Sequence, residues 1–110
     1  MAVSTLKIEE LLEALKAFKD VKNGMSVNEM IIFLTAGKLD EPNIKTLAKW
    51  AGVTPMTTSR LVFSLSVGEN RRKQDGLGLV ERFEDPDNRL QTRVKLTDKG
   101  MELLEKVAGK

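Results

Sequence analysis

Arginines and small hydroxyl residues, rather than any acid–base pair, carry the chemistry open to this sequence. The stretch "TPMTTSR" closes on Arg60, "ENRRKQD" holds Arg71, Arg72 and Lys73, and "DPDNR" ends on Arg89. A guanidinium donates in a planar fork to phosphates, carboxylates or purine edges, while a lysine offers a point charge. Thr54, Thr57 and Ser59 add short hydroxyls suited to phosphate oxygens. The chain has no His, Cys or Tyr, so the commonest general base, the strongest nucleophile and the phenolic acid are all missing. No pairing of Asp, Glu, Lys or Ser stands out in their place. The expectation is a protein that is not an enzyme and needs no metal and no cofactor.

Charge is spread unevenly. The whole chain carries +2. Residues 1–42 hold five lysines against seven acidic residues, whereas residues 43–83 hold seven basic residues against three acidic ones. A local excess of +4 is the footprint of a phosphate-facing surface, or simply a solvated basic face. At 110 residues the sequence fits one domain, and no stretch approaches the roughly 18 consecutive apolar residues of a membrane span. An early acidic N-terminus, "MAVSTLKIEE", and the lack of cysteine predict a cytoplasmic protein.

The elements that must position those side chains follow from periodicity and caps. Ile8, Leu11, Leu12, Leu15 and Phe18 recur at helical spacing up to about Lys22, and Asn23-Gly24 supplies a stop. Ser26 with Glu29 is a capping box for a helix carrying Met30, Ile31, Phe33 and Leu34. Asn43 caps "IKTLAKWA". Thr54 caps a fourth helix with Pro55 at its first position, where the absent N–H costs nothing, running to at least Leu65. "LVERF" and "LQTRVKL" alternate as strands around the turn Asp85-Pro86-Asp87-Asn88, with Leu90, Thr92, Val94 and Leu96 expected on the buried face. Thr97 caps a last helix bearing Met101, Leu104 and either Val107 or Ala108 along one face.

Ala48 and Gly52, four apart, allow two helices to cross closely and turn tightly, the pattern of a helix-turn-helix over residues 43–65. In the second of these helices Thr58, Leu61 and Leu65 are expected inward, with Met56, Ser59, Arg60 and Phe63 outward. Followed by a hairpin at 79–96, this gives a mainly α (α+β) winged helix-turn-helix of order α-α-α-α-β-β-α, with room for a very short extra strand before the third helix. Residues 1–110 form one domain on this reading.

The residues "LAKWAGVTPMTTSRLV", "GLVERFEDPDNR" and "VKLTDKGMELL" resemble the MarR family of winged-helix transcription regulators. The resemblance runs from about Ile44 to Leu104. It implies that the helix from Pro55 to Leu65 reads a major groove, that Arg89 enters a minor groove, and that Asp87 orients Arg89. Thr58 stands where the family prefers an aliphatic residue, and residues 66–77 form a longer join than usual. The chain has one helix after the wing, where the family commonly has two. The resemblance further implies double-stranded DNA as partner, bound by a homodimer with no membrane association.

The DNA-binding set expected on these grounds is Lys45, Lys49, Thr54, Pro55, Met56, Thr57, Ser59, Arg60, Arg71, Arg72, Lys73, Asn88 and Arg89. Helices at 1–23 and 97–108 are the expected dimerisation elements, through Ile8, Leu11, Leu12, Leu15, Phe18, Leu104 and Val107. Rival readings stand beside these. The stripe from Ile8 to Phe18 could be ordinary core, and Arg89 could merely pair with Asp87. Phe63 either lies under residues 66–77 or meets a partner, and Trp50 is expected to pack between helices. The fold could also serve as a protein-interaction module presenting Phe63 and Met56, or bind DNA in replication or mobile-element control.

Overall fold

A computed structural model describes residues 5–66 and 77–108. The helices are α1 (Thr5–Val21), α2 (Val27–Lys38), α3 (Ile44–Ala51), α4 (Pro55–Leu65) and α5 (Asp98–Ala108). Strands β1 (Val80–Asp85) and β2 (Asn88–Leu96) lie between α4 and α5. This is the winged-helix order expected from the sequence.

The starts of α2, α3, α4 and α5 are each fixed by a polar cap. The Glu29 amide donates to Ser26 Oγ at 3.1 Å while Glu29 Oε1 accepts from the Ser26 amide at 2.9 Å, closing the capping box. Asn43 Oδ1 accepts from the Thr46 amide at 2.8 Å, and Thr54 Oγ1 from the Thr57 amide at 3.1 Å. Thr97 Oγ1 takes the Gly100 amide at 3.1 Å. Such caps are each worth about 1 kcal/mol. Between α3 and α4 the backbone turns at Gly52 with φ of 73°, a left-handed conformation that a side chain disfavours.

The core gathers around α2. Ile32 and Phe33 are wholly buried, and Phe18 from α1 meets Phe33 edge to face with ring centroids 5.7 Å apart. Phe18 therefore belongs to the chain's own core and is unavailable to a dimer contact. Leu104 and Val107, also expected at such a contact, are half-buried against the same core. In α2, Ile32 and Phe33 are the inward pair, while Leu34 is exposed. In α4 the inward residues are Thr58, Val62 and Leu65, with Leu61 half-buried beside them. Thr58 is buried without penalty because its hydroxyl donates to the Thr54 carbonyl at 2.9 Å.

Strands β1 and β2 pair antiparallel, Val80 opposite Leu96 and Arg82 opposite Val94, with the register slipping next to Asp85. Leu90 departs from the expected alternation: beyond that slip it is 95% exposed at the hairpin tip. The hairpin is held at both sides. Asn43 bridges to Arg93, which is the very short strand expected before the third helix. The amides of Leu77, Gly78 and Leu79 donate to the carbonyls of Ser64, Ser66 and Leu65 at 2.8–3.0 Å, joining the end of α4 directly to the start of β1.

The start of α5 closes on the root of the hairpin. Thr97 Oγ1 donates to the Gly78 carbonyl at 2.6 Å and its amide donates to the Leu79 carbonyl at 3.0 Å. A Cβ at Gly100 would overlap the Leu79 carbonyl oxygen, a backbone atom that cannot step aside. Alanine ordinarily gains roughly 1 kcal/mol over glycine inside a helix, but this overlap outweighs that gain. Gly100→Ala should therefore lower folding stability by about 3 kcal/mol, measured as a fall in urea midpoint at unchanged slope. Stability equal to or above that of the parent would contradict the packing described.

Candidate nucleic-acid interface

Helix α4 buries one face and leaves the other to solvent. Pro55, Met56, Thr57, Ser59 and Arg60 are all exposed, Met56 by 73%. Lys45 and Lys49 stand exposed on α3, and Thr54 is exposed at the turn, where its hydroxyl also donates to Thr57 Oγ1 at 3.0 Å. Asn88 and Arg89 are exposed at the hairpin tip. Arg71, Arg72 and Lys73 lie outside the described residues.

An open groove of about 360 Å³ separates the helix-turn-helix from the hairpin. Asn43, Ile44, Lys45, Pro55 and Ser59 line one wall, and Leu90, Gln91 and Thr92 the other. Two elements far apart in sequence thus face each other across a gap in which a cation, a hydroxyl and amide groups are available. Among the described residues no cluster of His, Cys, Asp and Glu could hold a metal ion.

The hairpin's angle to the helices is set by Arg93. Its Nε lies 3.0 Å from Asp85 Oδ2, and Nη1 donates to the Glu41 carbonyl at 3.0 Å. Glu41 has φ of 48°, a left-handed conformation costing a non-glycine residue on the order of 1 kcal/mol. The contact with Arg93 offsets that strain. Alongside it, the Val94 amide donates to the Pro42 carbonyl at 2.9 Å, and Asn43 Nδ2 to Gln91 Oε1 at 3.1 Å.

Ion pairs cross this hairpin between Asp85 and Arg93 at 3.0 Å and between the exposed Glu81 and Lys95 at 3.9 Å. Among the described residues no hydrogen bond or ion pair joins Asp87 to Arg89, the partners expected from the family resemblance. The Asp87 side of the turn instead donates its amide to Asp85 Oδ1 at 2.8 Å. The turn tip is further stiffened by the Leu90 amide on Asn88 Oδ1 at 3.1 Å. The Asp85 carboxyl is held below its ordinary value, first by that Asp87 amide and then by the Arg93 guanidinium.

Phe63 is outward as expected, and the Arg82 guanidinium of β1 lies 5.0 Å from its ring centre; most of the 66–77 join expected over it lies outside the described residues. Arg82 and Arg93 are functional candidates absent from the sequence reading. The outward aromatic Phe63 on α4 is the available signal for Arg82. For Arg93 there is none, since it occupies an ordinary polar position in an alternating strand. Trp50, expected to pack between helices, is half-exposed, with Lys38 Nζ 5.5 Å from its ring centre.

A helix-turn-helix joined to a pinned hairpin defines a winged helix. No protein-family model matches the chain, and no curated protein does. Solved structures do. The transcriptional regulator Tm0710 from Thermotoga maritima superposes with a TM-score of 0.74 at 23% identity, covering 94% of this chain and 66% of that one. MepR from S. aureus, solved as a DNA complex, gives 0.72 at 18% identity over 94% and 77%. A MarR-family transcriptional regulator from Rhodococcus sp. RHA1 gives 0.63 at 24% identity over 94% and 66%. In fold, the chain is a winged helix of the MarR type. It spans about two thirds of the length of the Thermotoga and Rhodococcus proteins.

Acid should loosen this arrangement. Glu29 is pulled both ways: burial raises its pKa, but the Ser26 amide and Lys22 together leave it lowered. With Glu29 and Asp85 both depressed, the unfolded chain binds more protons than the folded one between those lowered values and the ordinary range near pH 4. Stability from these groups is complete above that range and is lost as pH falls through the lowered values. Asp85→Asn should lower the urea midpoint at neutral pH and flatten its decline between about pH 5 and pH 3. An acid limb as steep as the parent's would show that Asp85 does not hold the hairpin.

Proposed function

We propose that the chain is a sequence-specific double-stranded DNA-binding protein, a transcription regulator acting as a homodimer rather than an enzyme. The observation that carries this reading is the groove shared by α4 and the wing. DNA laid across it would meet α4 in the major groove and the wing in the adjacent minor groove. Arg60, with Met56 and Ser59, would face base edges. Phosphates would meet Lys45, Lys49, Arg71, Arg72, Lys73 and the α4 N-terminus at Thr54, Pro55, Met56 and Thr57. Asn88 and Arg89 would enter the minor groove, whose negative potential attracts a guanidinium. The DNA complex of MepR supports this reading by fold likeness.

A second copy of the chain would be met by α1. Ile8, Leu11, Leu12 and Leu15 are 45–64% exposed along one side of that helix. So much apolar surface in one stripe marks an interaction face. Two copies related by a two-fold axis would present two recognition helices to paired half-sites.

Selection of bound duplexes from a random library should enrich a two-fold related sequence. Affinity for it should fall with salt at a log–log slope near −0.9 per phosphate contacted. Arg89→Ala should weaken binding most on duplexes with A/T-rich, narrow-grooved flanks. Arg60→Ala should relax discrimination at one or two central base pairs, by about 1–3 kcal/mol. Sedimentation should give twice the chain mass at micromolar concentration, and Leu11→Glu with Leu15→Glu should halve it. No enriched sequence, or full binding by Arg89→Ala on every duplex, would sink the DNA-binding reading.

A further inference from the structure

Glu29 links three helices at one buried carboxylate. The residue is 3% exposed. Its Oε1 accepts from the Ser26 amide at 2.9 Å, at the start of α2. Its Oε2 accepts from Lys22 Nζ at 3.0 Å, just past the end of α1. The same oxygen accepts from Ser64 Oγ at 3.2 Å, in the last turn of α4. A capping box needs only the first of these contacts, and a neutral glutamine would serve it. Burying a charge is costly unless several donors meet it, so the choice of a carboxylate here is explained by Lys22 and Ser64.

Thr58, Val62 and Leu65 seat α4 by burial, and the Leu77 and Leu79 amides hold the Ser64 and Leu65 carbonyls on the wing side. The Ser64 hydroxyl adds a side-chain bond toward α1 and α2. A hydrogen bond to a fixed carboxylate is directional. Arg60 lies four residues before Ser64, on the same side of the helix. Whatever fixes the rotation of Ser64 therefore fixes the direction in which Arg60 points. Lys22 connects that carboxylate to the end of α1, the helix proposed to meet the second copy.

We propose that Glu29 is a positioning residue for DNA recognition: through Ser64 it sets the rotation of α4, and through Lys22 it ties that rotation to α1. The proposal rests on the DNA-binding dimer described above. Its consequence is selectivity for the separation of two half-sites, because the separation is read by two recognition helices held at fixed angles to the dimer axis.

Ser64→Ala is the informative substitution, since it removes one hydrogen bond and leaves the capping box intact; Ser64→Thr restores the hydroxyl. In the free protein, Ser64→Ala should speed amide exchange across the last turn of α4 by about three- to tenfold and leave α2 unchanged. Ser64→Thr should return it to the parent rate. On the duplex selected by the parent protein, Ser64→Ala should bind within about threefold of the parent. Duplexes with one or two base pairs inserted between the half-sites should then be discriminated about tenfold less than by the parent. Unchanged exchange in Ser64→Ala, or an unchanged spacing profile, would overturn the proposal. If the parent enriches no duplex, the DNA-binding reading fails and takes the recognition role of Glu29 with it. Unchanged exchange alongside intact DNA binding overturns the tie to α4 alone.

Discussion

The guanidinium of Arg93 holds the wing against the helix-turn-helix, and the geometry of the whole candidate surface depends on it. A two-stranded hairpin has little independent stability in water. Here one side chain reaches across to Asp85 within the hairpin and to the Glu41 carbonyl before α3. Backbone pairing of Val94 with Pro42 and the Asn43–Gln91 side-chain bond complete the junction. The wing is thereby a third wall of the helical unit rather than a loose arm. The strained backbone at Glu41 is understandable in the same terms, since relaxing it would turn the carbonyl away from Arg93.

The opposite end of the hairpin is closed by different means. Thr97 binds Gly78 and Leu79, and Gly100 lets α5 settle onto the Leu79 carbonyl. Because Leu79 also bonds to Leu65 at the end of α4, this junction joins the last helix, the wing root and the candidate recognition helix. Glu29 adds α1 and α2 to the same helix through Ser64. Helix α4 is therefore fixed at its C-terminal end by backbone and carboxylate, while its N-terminal half stands exposed beside the groove.

The sequence made some of this visible and not the rest, for reasons that differ by residue. Caps at Ser26, Asn43, Thr54 and Thr97 were legible because a helix start is a local hydrogen-bonding problem with few solutions. The hairpin and its turn were legible from alternation and from Asp85-Pro86. Helix α2 was harder, since it is buried on several sides and its periodicity does not separate Ile32 from Leu34. Leu90 was misplaced because the register slip at Asp85 shifts which residues face inward. Phe18 falls in the apolar stripe of α1, and spacing alone does not say which helix covers a face. The partners of Arg93 and Glu29 were invisible for a simpler reason: Arg93 and Glu41 are 52 residues apart, and Glu29 and Ser64 are 35 apart.

On the proposed function, α4 and the wing contact one duplex together, α4 in the major groove and the wing in the minor groove. Methylation protection on a duplex selected by the full chain tests this directly, because guanine N7 lies in the major groove and adenine N3 in the minor. The account predicts protection of guanine N7 within each half-site and of adenine N3 in the flank beside it, with the latter lost in Arg89→Ala. Protection confined to the major groove, with Arg89→Ala indistinguishable from the parent, would contradict it.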